Sequence, residues 1–229
     1  MTRRPASIDA VPPVEGSTRA SCGHVECAAP ESERLLTVPT AITLVRTVAT
    51  IVLALAGARE HSLGLLLAAL AVYWVGDMAD GAAARLLNQA TRIGATLDIM
   101  CDRVSAALFY VGFAWYDPSM AIPVGIYLAE FMVVDMFLSL AFLAWASSSP
   151  NYFYSIDRRL WLWNWSKPGK AVNSALFAVL MVWTREPWLA GAIAAALLGV
   201  KLASLVQLMK LRLPVPGGCL RPDTDTASP

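Results

Sequence analysis

"GDMADGAAARLLNQATRIGATLDIMCDR", residues 76–103, separates the apolar run "LGLLLAALAVYWV" (63–75) from "VSAALFYVGFAW" (104–115). Asp77, Asp80, Asp98 and Asp102 therefore lie at the edge of stretches suited to a membrane, where an ionised carboxylate is costly. Asp77 and Asp80 are spaced i, i+3, and Asp98 and Asp102 i, i+4, so each pair shares one face of its helix. The polar break "LLNQATRI" (86–93) lets the two helices run antiparallel. At about 1.5 Å per residue, Asp77 falls two to three turns before the break and Asp98 about one turn after it. All four carboxylates can then meet in one layer.

The rest of the chain supports a membrane setting. Of 229 residues, 57% are hydrophobic and 15% charged, with mean hydropathy +0.54, which excludes an ordinary soluble domain. The net charge of +1 identifies no partner, and no nucleic-acid ligand is expected. The predicted fold is all-α and polytopic, with six transmembrane helices near 39–57, 63–87, 95–116, 121–146, 170–184 and 187–210. Arg34, Arg85, Arg92, Arg158, Arg159, Lys167, Lys170, Lys210 and Arg212 gather at one side, while the other has little beyond Arg59 and Arg185. The positive-inside rule places the crowded side, both termini and the aspartate layer in the cytoplasm, and the protein in the cell membrane. Residues 1–30 lack an apolar signal region and read as a disordered tail, as do 213–229, around a membrane domain over 31–212. A short amphipathic piece is expected at 31–36. Cys22, His24 and Cys27 form too sparse a group for a zinc site; Cys101 reads as a packing residue, and no disulfide framework is indicated.

Four negative charges in one layer repel unless cations sit among them, and hard oxygen ligands suit a pair of Mg²⁺ or Mn²⁺ ions. Gly76, Gly81, Ala82, Ala83, Ala84, Gly94 and Ala95 let the helix backbones approach and leave room for a ligand. Arg85 can meet a phosphate, and Thr91 can donate a hydroxyl hydrogen bond from the connecting loop. Simple Asp–Arg pairing would explain one or two aspartates but not four on two facing stripes. It is the favoured reading for Arg103 alone.

The pattern Asp77-x2-Asp80-Gly81-x2-Ala84-Arg85-x8-Gly94-x3-Asp98-x3-Asp102 resembles the full signature of the CDP-alcohol phosphotransferase family, eight constrained residues over 26 positions. Upstream, "TVPTAITLVR" (37–46) is similar to the family's opening of the first span, with Thr40 replacing the usual Asn. The resemblance implies a homodimeric membrane enzyme that uses a CDP-linked lipid, usually CDP-diacylglycerol, and releases CMP. By that resemblance Asp77, Asp80 and Asp98 would ligate two divalent cations. Asp102 would complete the metal site and act as catalytic base, and Gly81, Arg85 and Thr91 would contact the CDP moiety.

The acceptor is expected beside "DRRLWLWNWSKPGKAVNS" (157–174), where Lys167 and Lys170 are spaced i, i+3 and Arg158 and Arg159 lie nearby. This favours a phosphate-bearing acceptor over choline, ethanolamine or serine. Trp161, Trp163 and Trp165 offer the competing reading of an interfacial aromatic belt. "SKPGK" and "QATRIGATLD" are similar to segments of cardiolipin and phosphatidylglycerophosphate synthases. The run "DIMCDR" departs from their Asp-Pro-x-Ala-Asp-Lys, and no Arg stands near Glu130. The expected acceptor is thus phosphatidylglycerol or glycerol 3-phosphate, with a phosphatidylinositol-phosphate synthase as the alternative. A divalent-cation transporter is the rival of another class, though "LGLLLAALA" and "GAIAAALLGV" leave the outer halves of the spans apolar. Glu130 and Asp135 receive no role from the sequence.

Overall fold

The computed structural model describes residues 33–145 and 147–211, and they are helical almost throughout. The long helices are α1 (Val38–Arg59), α2 (Leu63–Leu86), α3 (Arg92–Tyr116) and α4 (Pro118–Ala144), followed by a short α5 (Arg158–Asn164), then α6 over 167–184 and α7 (Pro187–Lys210). α1, α2, α4 and α7 are long and apolar enough to cross a membrane. α3 is interrupted by its aspartates and arginines, and α6 opens with two lysines. Large apolar side chains such as Val45, Val48, Val52, Val75, Ile122 and Trp183 stand exposed along the helices, a surface that fits lipid.

Each boundary has a local cause. Thr37, Ser62, Thr91 and Ser166 accept backbone N–H groups at the starts of α1, α2, α3 and α6. α3 and α6 begin three residues before the expected positions because Thr91 and Ser166 set their first turns. His61, Asn88 and Arg185 take left-handed backbone conformations where α1–α2, α2–α3 and α6–α7 reverse direction. α5 and the 3₁₀ turn Pro150–Ser155 before it are additions to the predicted scheme, folded beneath α4 and α7. Trp165 is buried against Phe153, with ring centroids 4.7 Å apart, so of the three tryptophans it belongs to the core and not to a belt.

The expected amphipathic piece at 31–36 is not helical over residues 33–36. Glu33 instead accepts hydrogen bonds from Arg92 N and Ile93 N at 3.1 and 3.2 Å, setting a negative charge at the start of α3. At the other end of the same residue, the Arg92 guanidinium donates to the carbonyls of Leu143 and Trp145 and closes the end of α4. Cys22, His24, Cys27, Cys219 and both expected tails lie outside the described residues.

Two apolar cores are stacked along the bundle. One runs from Leu66 and Leu70 through Phe109, Tyr127 and Phe177 to Ala194, and the other joins Ile99, Leu138, Phe142, Phe153, Leu160 and Leu208. Between them every long helix except α6 contributes buried or half-buried ionisable groups: Arg46, Asp77, Asp80, Asp98, Asp102, Arg103, Glu130, Asp135 and Lys201.

α1, α2 and α3 meet closely at Leu66, which is fully buried between two glycines. A methyl group at Gly57 would stand 2.9 Å from Leu66 N, and one at Gly112 would stand 2.7 Å from Leu66 Cδ2. The Gly57 contact is with backbone and cannot be relieved by a rotamer change. Gly57→Ala should therefore cost about 1–3 kcal/mol by overpacking and lower the thermal midpoint in detergent. An unchanged midpoint would show that the helices are not held this close.

Candidate metal centre and the two cavities beside it

Asp77 on α2 and Asp98 and Asp102 on α3 each present a carboxylate oxygen within 4.8 Å of the others. The hairpin geometry expected from their spacing thus brings three of the four aspartates into one cluster. An all-oxygen anionic donor set of this kind fits Mg²⁺ or Mn²⁺. Asp80 is turned differently. Its Oδ2 accepts from Arg46 Nε and Thr43 Oγ1, both at 2.8 Å, and it is buried against α1. It borders the cluster through Arg46 and does not join the group of three.

Arg46 is the residue to which the sequence reading assigned no task. Its Nη2 lies 2.5 Å from Asp98 Oδ1 and 2.7 Å from Asp102 Oδ1, so one guanidinium bridges three carboxylates from two helices. Its planar fork of donors makes this possible, whereas a lysine ammonium is a point charge. Gly76 clears the path: a Cβ there would meet Arg46 Cβ at 2.7 Å. The signal was present as the final residue of "TVPTAITLVR", an arginine deep in an apolar helix.

Two cavities open on this layer, and Asp98 lines both. The first is bounded by Thr40, Gly81, Arg85, Thr91 and Gly94, so the three residues expected to contact CDP share one wall with an aspartate of the cluster. Thr91 already serves the fold: its hydroxyl accepts from Gly94 N at 3.0 Å and donates to Arg34 O at 3.4 Å. The second cavity contains all three clustered aspartates together with Tyr73, Glu130, Lys170, Asn173 and Lys201. Of the residues expected at the acceptor, only Lys170 lines it. Lys167, Arg158 and Arg159 are exposed elsewhere at the ends of α6 and α5.

The far wall of the second cavity carries a network that the sequence did not announce. Asp135 pairs with Lys201 and, at 2.5 Å, with Arg103. Arg103 therefore has the structural ion-pair role favoured for it, and it also lies over the Phe131 ring and donates to Ser139 at 3.1 Å. Lys201 donates to Asn164 Oδ1 at 2.8 Å, and Asn164 donates to Ser204 at 3.0 Å. A lysine inside the apolar 187–210 span, away from its ends, was the available sign of this network.

Comparison with known proteins follows the same residues. A family model described as CDP-alcohol phosphatidyltransferase matches residues 36–207. Curated relatives include proteins called phosphatidylinositol phosphate synthase from Mycobacterium bovis and Mycobacterium tuberculosis. Each is 38% identical over 82 residues, covering 34% of this chain and 36% of the relative. One from Mycobacterium marinum is 37% identical over 81 residues, covering 34% and 33%. The matched stretch spans about a third of the length of these relatives. No solved structure matches the chain.

Removing Arg46 would leave three buried or half-buried carboxylates without their counter-charge. Arg46→Met should lose on the order of 3–5 kcal/mol when unfolding is measured in a chelator, and regain part of it when Mg²⁺ is added. Equal stability of wild type and variant in the chelator would show that the bridge does not hold the layer together.

Proposed function

As the chain belongs to the CDP-alcohol phosphatidyltransferase family and is a phosphatidyltransferase, we propose that it moves a phosphatidyl group from CDP-diacylglycerol to a phosphate-bearing alcohol and releases CMP. The observation that carries this reading is the convergence of Asp77, Asp98 and Asp102 between two cavities that share Asp98. One cavity has Arg85 for a nucleotide diphosphate, and the other has Lys170 for an acceptor phosphate. Lys170 makes no ion pair among the described residues, while Arg103 and Lys201 are committed to Asp135.

In this mechanism Asp77, Asp80, Asp98 and Asp102 would hold a pair of Mg²⁺ or Mn²⁺ ions. When bound, such ions neutralise the diphosphate and the departing phosphate oxygen. Asp102 lines the acceptor cavity and takes the proton of the attacking hydroxyl. The hydroxyl oxygen forms a bond to the phosphorus bearing diacylglycerol, and the bond from that phosphorus to the CMP oxygen breaks. Arg46 positions Asp98 and Asp102 for this work, and Gly81, Arg85 and Thr91 orient the CDP moiety. Most of the acceleration comes from alignment and charge neutralisation.

All six long helices cross the cell membrane in this reading, with the aspartate layer near the cytoplasmic face and a homodimer as the working unit. The alternation of helix direction supports it, because the ends at residues 38, 86, 92, 144, 167 and 210 carry most of the basic residues. Phosphatidylglycerol, glycerol 3-phosphate and inositol phosphate are the candidate acceptors, the last favoured by the mycobacterial relatives called phosphatidylinositol phosphate synthase.

Purified protein in lipid should release CMP from CDP-diacylglycerol only when one of these three acceptors and a divalent cation are supplied. Asp102→Asn should lower that release about 10²- to 10⁴-fold while leaving the protein folded. Normal turnover by the variant would remove Asp102 from the role of base. The labelled lipid product identifies the acceptor.

A further inference from the structure

Glu130 is the buried ionisable group that the mechanism above leaves idle. It is 1% exposed, its Oε1 has no hydrogen-bond partner, and it lines the cavity that contains Asp77, Asp98 and Asp102. A carboxylate left unsatisfied in an interior is expensive, and native proteins retain few such groups without a reason.

The backbone turns Glu130 to this position on purpose. α4 widens into a π-helix over Glu130–Asp135. In a regular α-helix, at 3.6 residues per turn, residues five apart would point about 140° away from each other. The wider turn brings both acids to the same cavity, and such π segments recur at functional sites. Once there, the two acids differ. Asp135 is held by Arg103 and Lys201, so its charge is spent inside the protein. Glu130 offers a free acceptor oxygen to whatever enters. α6 has a second π-helix, Ala171–Leu176, which follows Lys170 and carries Asn173 onto the same cavity.

The geometry points to Glu130 as a specificity-determining residue that accepts a hydrogen bond from a second, non-reacting hydroxyl of the acceptor. The cavity would then select a polyol phosphate: one hydroxyl at Asp102, a second at Glu130, the phosphate at Lys170. This assignment rests on the phosphatidyl-transfer reading and narrows its substrate class. It disfavours acceptors that present a single hydroxyl.

The test compares three acceptors with analogues lacking one hydroxyl: glycerol 3-phosphate with 3-hydroxypropyl phosphate, phosphatidylglycerol with phosphatidyl-1,3-propanediol, and inositol 1-phosphate with its mono-deoxy derivatives. For the pair that wild-type protein uses, kcat/KM should favour the full polyol about tenfold to a hundredfold, as expected for a hydrogen bond to a charged group. In Glu130→Leu that preference should collapse toward one through a raised acceptor KM, with the KM for CDP-diacylglycerol unchanged, and Glu130→Gln should retain part of it. A wild-type enzyme indifferent to the missing hydroxyl overturns the proposal without any variant, and so does a preference that survives in both variants. Wild-type protein that consumes none of the three acceptors overturns the phosphatidyl-transfer reading itself.

Discussion

A single guanidinium holds the polar layer of this bundle together. Arg46 reaches from α1 to Asp80 on α2 and to Asp98 and Asp102 on α3, with Gly76 leaving the space through which it passes. Charges this deep are tolerable only when paired, so the contact fixes how the three helices sit against one another. It also explains the spacing of the aspartates. Asp80 must face α1 to meet Arg46 and Thr43, while Asp77, one turn earlier, faces the cluster with α3. Asp80 thereby ties α2 to α1 as well as bordering the acidic cluster.

The layer is laid out as two ionic sets on either side of one cavity. Near the α2–α3 hairpin, acids outnumber bases, which leaves negative charge for divalent ions. Across the cavity, Asp135 is matched by Arg103 and Lys201, and Asn164 and Ser204 extend that network to α5 and α7. Aromatic rings pack in the adjoining apolar core: Tyr127 stacks on Phe177 at 4.2 Å and meets Tyr110, tilted, at 4.6 Å, centroid to centroid. Two π-helices, at the cost of regular backbone hydrogen bonding, place Glu130 and Asn173 on the same cavity, as such segments often do at functional sites.

From its residue order alone, the chain specified its long helices, its apolar character and the spacing of its aspartate pairs. Each of these depends on short-range periodicity: apolar runs of helical length, and spacings of three and four that put carboxylates on one face. Tertiary structure decided which charges meet. Arg46 is 34 residues from Asp80 and 56 from Asp102, and Lys201 is 66 from Asp135, separations over which local pattern carries no information. It also decided that Lys170 alone of the expected basic residues faces the cavity, because α5 turns Arg158 and Arg159 outward. The inward turn of Glu130 follows from an i→i+5 widening of α4 where it meets α7, a feature with no counterpart in the period of the sequence.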